Sequence, residues 1–234
     1  MKLNVIAKKI ALVGLALMFT AAPITTLAAA QAQQYALDEP ISILRDGVEI
    51  VRADETGVHI LERVLLTQAE IRSLIPLART HRETRMSPHP YRRMTEQELA
   101  AWNKEYDELG GMNAEELKVL YRINDIRASR NLHPYILCPA LSRASRLHTN
   151  LMTDHDFFDH IDPFYFGPPD RSILFKGPTS TVVENSIRGA TGSMRAVDSW
   201  MNSPGHRIQI VSTRHQYIGI GFTGTFSTTK FSRR

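Results

Sequence analysis

Cysteine is nearly missing from these 234 residues. Cys138 is the only one, so no disulfide can close within the chain and burial of apolar side chains has to hold the fold. Its neighbours Leu137, Pro139 and Ala140 are apolar, which suits a packed, inert thiol, because reactive thiols sit in polar, electropositive surroundings. An excess of one charge is missing too. There are 28 Lys and Arg against 24 Asp and Glu, and Lys2, Lys8 and Lys9 lie in the first nine residues; without them the balance is +1. Nothing there favours a nucleic-acid or acidic-lipid partner. What is present is ample apolar material: 43% hydrophobic against 22% charged residues suits a packed core, not a disordered chain.

Residues 1–32 read as an export signal: lysines at the start, an apolar run from Ile10 to Phe19, then small residues at Ala28-Ala29-Ala30 and Ala30-Gln31-Ala32 that suit a signal peptidase. Ten apolar residues are about half of the ~20 that a spanning helix needs, so no stable transmembrane segment is expected once the signal is removed. With no cysteine near the cleavage site, lipidation is not expected either, and a periplasmic or secreted location follows. Residues 31–114 hold 14 acidic and 10 basic side chains, whereas 115–234 hold 10 and 15. That reversal suggests an accessory region over 33–112 and a second domain over 113–234.

In the first region Ile41 to Arg45, Asp46-Gly47 and Val48 to Val51 fit a two-residue hairpin, since Asp-Gly tolerates positive φ. Helices are expected over Gln68–Thr84, with Pro76 as a kink or start, and over Thr95–Leu109, where Thr95 and Glu98 have capping-box spacing. Ser87-Pro88-His89-Pro90 reads as a loop between them. In the second region Asn113 and Glu116 open a helix to Arg130 with two apolar sides, as befits a helix between layers. Further helices are expected over Pro139 to about Thr153, Pro169–Lys176 closed by Gly177, and Ser193–Asn202 with Met194, Val197, Trp200 and Met201 inward. Tyr217 to Phe222 and Thr225 to Phe231 have the β-branched and aromatic content of strands. The class is α+β, helices packed on a small sheet.

Three segments place titratable groups at element ends: Phe157-Phe158-Asp159-His160, Val183-Glu184-Asn185-Ser186, and Trp200-Met201-Asn202-Ser203-Pro204-Gly205-His206-Arg207. With Asn124-Asp125-Ile126-Arg127 before them and Ile218-Gly-Ile-Gly after, their order resembles the CAP superfamily, also called SCP: cysteine-rich secretory proteins, antigen 5 and pathogenesis-related proteins, with bacterial relatives. The resemblance spans about residues 115–231. It implies an α-β-α sandwich, here preceded by a mixed hairpin and helix region, with a cleft where two histidines and two acids meet. By position these are His160, His206 and Glu184; the second acid's place, three residues after the motif tryptophan, holds Ser203. Asp198 does not replace it, because helix residues five apart point about 140° away from each other.

Two imidazoles and one carboxylate would leave a divalent metal such as zinc an open position for water, so His160, Glu184 and His206 form a candidate metal set and, with Ser203, a candidate ligand-binding cleft. No His-Glu-x-x-His helix fixes two ligands rigidly, and His160 and His206 are expected on separate loops. A nucleophilic Ser203 is disfavoured: beside Pro204-Gly205 its hydroxyl is expected to serve the backbone. Asp154 to Asp162 lacks the glycine and glutamate of an EF-hand and reads as a solvated loop. His148 reads as a core residue with one ring nitrogen satisfied. Gly219-x-Gly221-x-x-Gly224 matches the dinucleotide fingerprint by letter but leaves too little chain for the rest of that site, so the glycines are expected to permit close packing. Three functions fit: binding of a metal, small molecule, lipid or envelope component; metal-assisted hydrolysis of peptides or esters; or an extracellular protein-interaction module. The sequence does not decide whether the protein is an enzyme.

Overall fold

The computed structural model describes residues 40–54, 57–78, 92, 94–108, 111–178, 181–224 and 226–233. The expected export signal, the loop at 87–90 and the helical continuation beyond 78 lie outside the described residues. Leu37–Arg234 forms one compact unit.

The chain opens with three antiparallel strands, β1 (Ile41–Arg45), β2 (Val48–Asp54) and β3 (Gly57–Ile60). Asp46 and Gly47 turn the first hairpin at φ 50° and 82°, which is the conformation a two-residue loop needs to match strand twist. Helix α1 (Gln68–Leu74) starts on a capping box: Thr67 Oγ1 accepts from Glu70 N and Glu70 accepts from Thr67 N. It tightens into a 3-10 turn over Ile75–Leu77, around Pro76. Helix α2 (Glu96–Glu108) uses the Thr95–Glu98 pair in the same way.

Asn113 and Glu116 cap α3 (Ala114–Ala128) reciprocally at 2.9 and 3.0 Å. Buried residues lie on both its sides because α1 and α6 (Ser193–Asn202) pack against it together with β6 (Tyr217–Thr223). A second sheet has the order β4 (Ile136–Leu137), β6, β7 (Phe226–Ser232), β5 (Val183–Arg188). Its other face carries α4 (Pro139–Asp154), which in turn packs on α5 (Pro168–Leu174). The result is the expected α-β-α arrangement. A short helix, α7 (Pro204–Ile210), follows α6.

Alternation along β6 divides the two interiors. Ile218 and Ile220 join the apolar core shared with α3, while Gly219 and Gly221 face α4. A methyl group added at Gly219 would fall 2.1 Å from the Leu141 carbonyl carbon, and one at Gly221 would fall 2.4 Å from that of Ser145. These glycines bring the helix against the sheet, as the sequence led us to expect.

The charge reversal near residue 112 does not coincide with a break in packing. Val51, Val58, Ile71 and Leu74 share one core with Leu117, Ile123, Trp200 and Ile220. Backbone bridges Val58–Met112 and Val64–Leu137 join the first region to the rest. Met194 departs from the inward expectation and is exposed, because Ala196, Val197 and Trp200 already fill the buried side of α6.

Candidate functional site

Glu184 is the centre of the site. It sits on β5 directly opposite Lys230 of β7, whose other neighbour across the sheet is Gly219. This row faces α4, whose backbone at Leu141 and Ser142 packs directly on Gly219. The Glu184 side chain is 1% exposed and both oxygens are occupied. Oε2 meets Lys230 Nζ and accepts from Arg171 Nη2 at 3.2 Å; Oε1 lies 2.7 Å from His160 Nδ1 and 3.4 Å from His148 Nε2, and accepts from Ser186 Oγ at 3.3 Å.

Burial alone would raise the Glu184 pKa, but Lys230, Arg171 and the His160 bond together hold it well below the usual carboxylate range. The same carboxylate raises His160 through that bond, against the opposing effect of partial burial. Lys230, fully enclosed, is pushed down to about 8 by desolvation. His148 is held far below the ordinary histidine value by burial, so its ring is neutral.

His160 is 56% exposed at its side chain, so a buried carboxylate grips one ring nitrogen while the rest of the ring faces outward. An ionised Glu184 accepts from Nδ1–H, which leaves Nε2 as the outward nitrogen. His206 lies within reach of His160's charge: its pKa is lowered by desolvation and then by His160. Its carbonyl accepts from Asn185 Nδ2 at 2.9 Å, so the strand carrying Glu184 also anchors this segment.

The structure therefore brings His160 and Glu184 into contact, and ties the His206 backbone to Asn185, the next residue of β5. Among the described residues His206 forms no hydrogen bond or ion pair with Glu184. His206 stands in the first turn of α7, not on the loop expected for it. Ser203 ends α6 and begins α7; its backbone makes the cap contacts, and its hydroxyl, contrary to expectation, forms no capping bond. Asp198 is exposed and pairs with Arg122 at 3.3 Å.

Three members of the site were missed. His148 is a core residue, but neither ring nitrogen has a hydrogen bond of good geometry; Nε2 lies 3.4 Å from Glu184 Oε1, and the Asp159 backbone is also close to the ring. Arg171 and Lys230 are fully buried, where two ordinary solvated cations would have been assumed. The available signal was the position of Lys230 between Thr229 and Phe231 in an otherwise uncharged strand. The run from Asp154 to Asp162 is not simply a solvated loop: Asp162 is buried and pairs with Arg171 at 3.1 Å, since its carboxylate also organises the loop's amides.

A metal bound by His160, Glu184 and His206 together fits this arrangement poorly, since both Glu184 oxygens already have partners, Oε2 in Lys230 and Arg171 and Oε1 in His160 and Ser186. Among the described residues no group of three or more His, Cys, Asp or Glu is disposed to hold an ion.

Residues 120–232 match the model of the family described as CAP: cysteine-rich secretory protein family. The chain is 33% identical to YkwD of Bacillus subtilis over 122 residues, 51% of this chain and 48% of YkwD. It is 25% identical over 91 residues to YlbC, a membrane protein of the same organism, covering 37% of this chain and 25% of YlbC. It thus spans about half the length of the first relative and a quarter of the second. An extracellular protein containing an SCP domain from Bacillus anthracis superposes with a TM-score of 0.51 at 22% identity, over 60% of this chain and 44% of that one. That likeness speaks for the fold. With the α-β-α layers and the matched segment in agreement, residues 120–232 form a domain of the CAP, or cysteine-rich secretory protein, type.

Proposed function

We propose that this is an exported binding module whose ligand is read by the outward nitrogen of His160 together with His206. The observation that carries this reading is the 2.7 Å contact between an exposed imidazole and a carboxylate that is itself 1% exposed and ion-paired behind it. A histidine held by its inner nitrogen presents the other in a fixed direction, as in metal-ligating and base-acting histidines alike. The export part rests on the leader-like first 32 residues, and the Bacillus anthracis neighbour is itself described as extracellular. Among the described residues no helix is long and apolar enough to cross a membrane.

Binding ranks above hydrolysis because the place of the second acid in the family pattern holds Ser203, which weakens the acid-base case. If zinc binds, the two imidazoles supply the protein ligands and Glu184 orients one of them from behind. The test is a spectrum of the imidazole nitrogens in the full chain, recorded with zinc alone, with phosphatidylglycerol vesicles and with peptidoglycan fragments as probes. At least one probe should move the His160 and His206 signals, and that binding should disappear in folded His160→Ala and His206→Ala variants. Silence of both rings towards all three refutes the proposal.

A further inference from the structure

Arg171 lies on α5, outside the segments that carry the family motif, and it touches the site at two places. Its guanidinium is fully buried. Nη2 donates to the backbone carbonyl of His160 at 2.9 Å and to Glu184 Oε2 at 3.2 Å; Nη1 donates to Asp162 Oδ2 at 3.1 Å and to the Phe166 carbonyl. The bonds close a circuit, from Arg171 to the His160 backbone, from the His160 ring to Glu184, and from Glu184 back to Arg171.

The loop in that circuit is independently shaped. Asp162 Oδ1 accepts from the amides of Phe164 and Phe166 at 2.9 and 3.0 Å, and Tyr165 is held at φ 63° between them. The three remaining neighbours of the carboxylate do not grip His160 at both ends: Lys230, His148 and Ser186 meet Glu184 but not the His160 backbone. A planar fork of donors can serve a carbonyl and a carboxylate at once, which an ammonium on a flexible stem does poorly.

We infer that Arg171 is the positioning residue of this site: by bridging the His160 carbonyl and the Glu184 carboxylate it fixes the direction in which the His160 ring presents its outward nitrogen. This rests on the reading of His160 as a ligand-facing group, but it is tested in the ligand-free chain, so the two can fail separately. A purely structural arginine would change stability and leave the imidazole alone.

The experiment is a long-range proton–nitrogen spectrum of the histidine rings in the full-length protein. Wild type should show His160 as a single tautomer with its proton on Nδ1. Arg171→Lys, folded by circular dichroism, should lose that pattern and give a tautomer mixture, whereas Lys230→Gln should keep it. A wild-type His160 pattern in folded Arg171→Lys, or equal disruption by Lys230→Gln, overturns the inference. Should Arg171→Lys not fold, the wild-type guanidinium decides: separately resolved, slowly exchanging Hη protons support the bridge, and a single averaged signal overturns it. If no probe moves the rings while Arg171→Lys still scrambles the tautomer, only the binding proposal falls.

Discussion

Replacing Glu184 by Gln should cost the protein about 3–5 kcal/mol, the range for breaking a buried ion pair by removing one partner. The interior around Glu184 holds two carboxylates, Glu184 and Asp162, against two basic side chains, Arg171 and Lys230. Arg171 retains Asp162 after the change, so one cation, Lys230, is orphaned. It can remain charged in a site without water, or it can give up its proton. Deprotonating a lysine at pH 7 when its unfolded value is near 10.4 costs at most about 5 kcal/mol, which brackets the same figure by another route. Against a typical stability of about 5–15 kcal/mol the loss is large. Urea unfolding at pH 7, followed by tryptophan fluorescence to which buried Trp200 contributes, measures it. Glu184→Gln combined with Lys230→Met should recover at least half of the loss, because two neutral groups of similar size replace an unpaired charge. A loss below about 1 kcal/mol for the single variant, or no recovery in the double, would refute the claim that this carboxylate neutralises the lysine.

The depressed Lys230 binds its proton less tightly folded than unfolded, so stability should rise with pH from about 8 towards the ordinary lysine value. Tyr135, raised to about 12 by burial, acts oppositely above its ordinary value near 10, and the urea midpoint should therefore peak between these windows. In a histidine titration His160 should change charge above, and His206 below, the ordinary histidine value, with His148 silent while the fold persists. As pH falls below about 6.5 the unfolded chain protonates His148 and the folded one does not, so His148→Phe should blunt that part of the acid destabilisation. Gly219→Ala should lower stability by at least about 1–3 kcal/mol, the usual cost of overpacking, and an unchanged midpoint would contradict the close approach of α4. A chain shortened to 113–234 should lose cooperative unfolding, since it exposes the core that Val51, Val58, Ile71 and Leu74 cover.

The elements with local signatures were legible in the sequence. Asp46-Gly47, the Thr95–Glu98 and Asn113–Glu116 boxes and the β-rich run after Tyr217 are each decided by a few neighbouring residues. β4 is not: two residues become a strand only because Ile136 and Leu137 pair with Tyr217 and Ile218, eighty positions away. α7 was hidden for a similar reason, since Pro204-Gly205 reads as a turn until Asn185 anchors the His206 carbonyl. His160 and Glu184 were found through a motif, whereas Arg171, Lys230 and His148 have no spacing that announces them. Their role exists only once β5, β7, α4 and α5 are assembled.

The order of the second sheet bears on how that assembly proceeds. β5 is flanked by β7 alone, and β7 is the last strand in chain order among the described residues. Until residues 226–232 are in place Glu184 has neither a hydrogen-bonded strand beside it nor the Lys230 ammonium, so the pocket is complete only once that strand has been added. A nascent chain halted before that strand would hold its helices and an unfinished sheet, with a carboxylate free to remain in water.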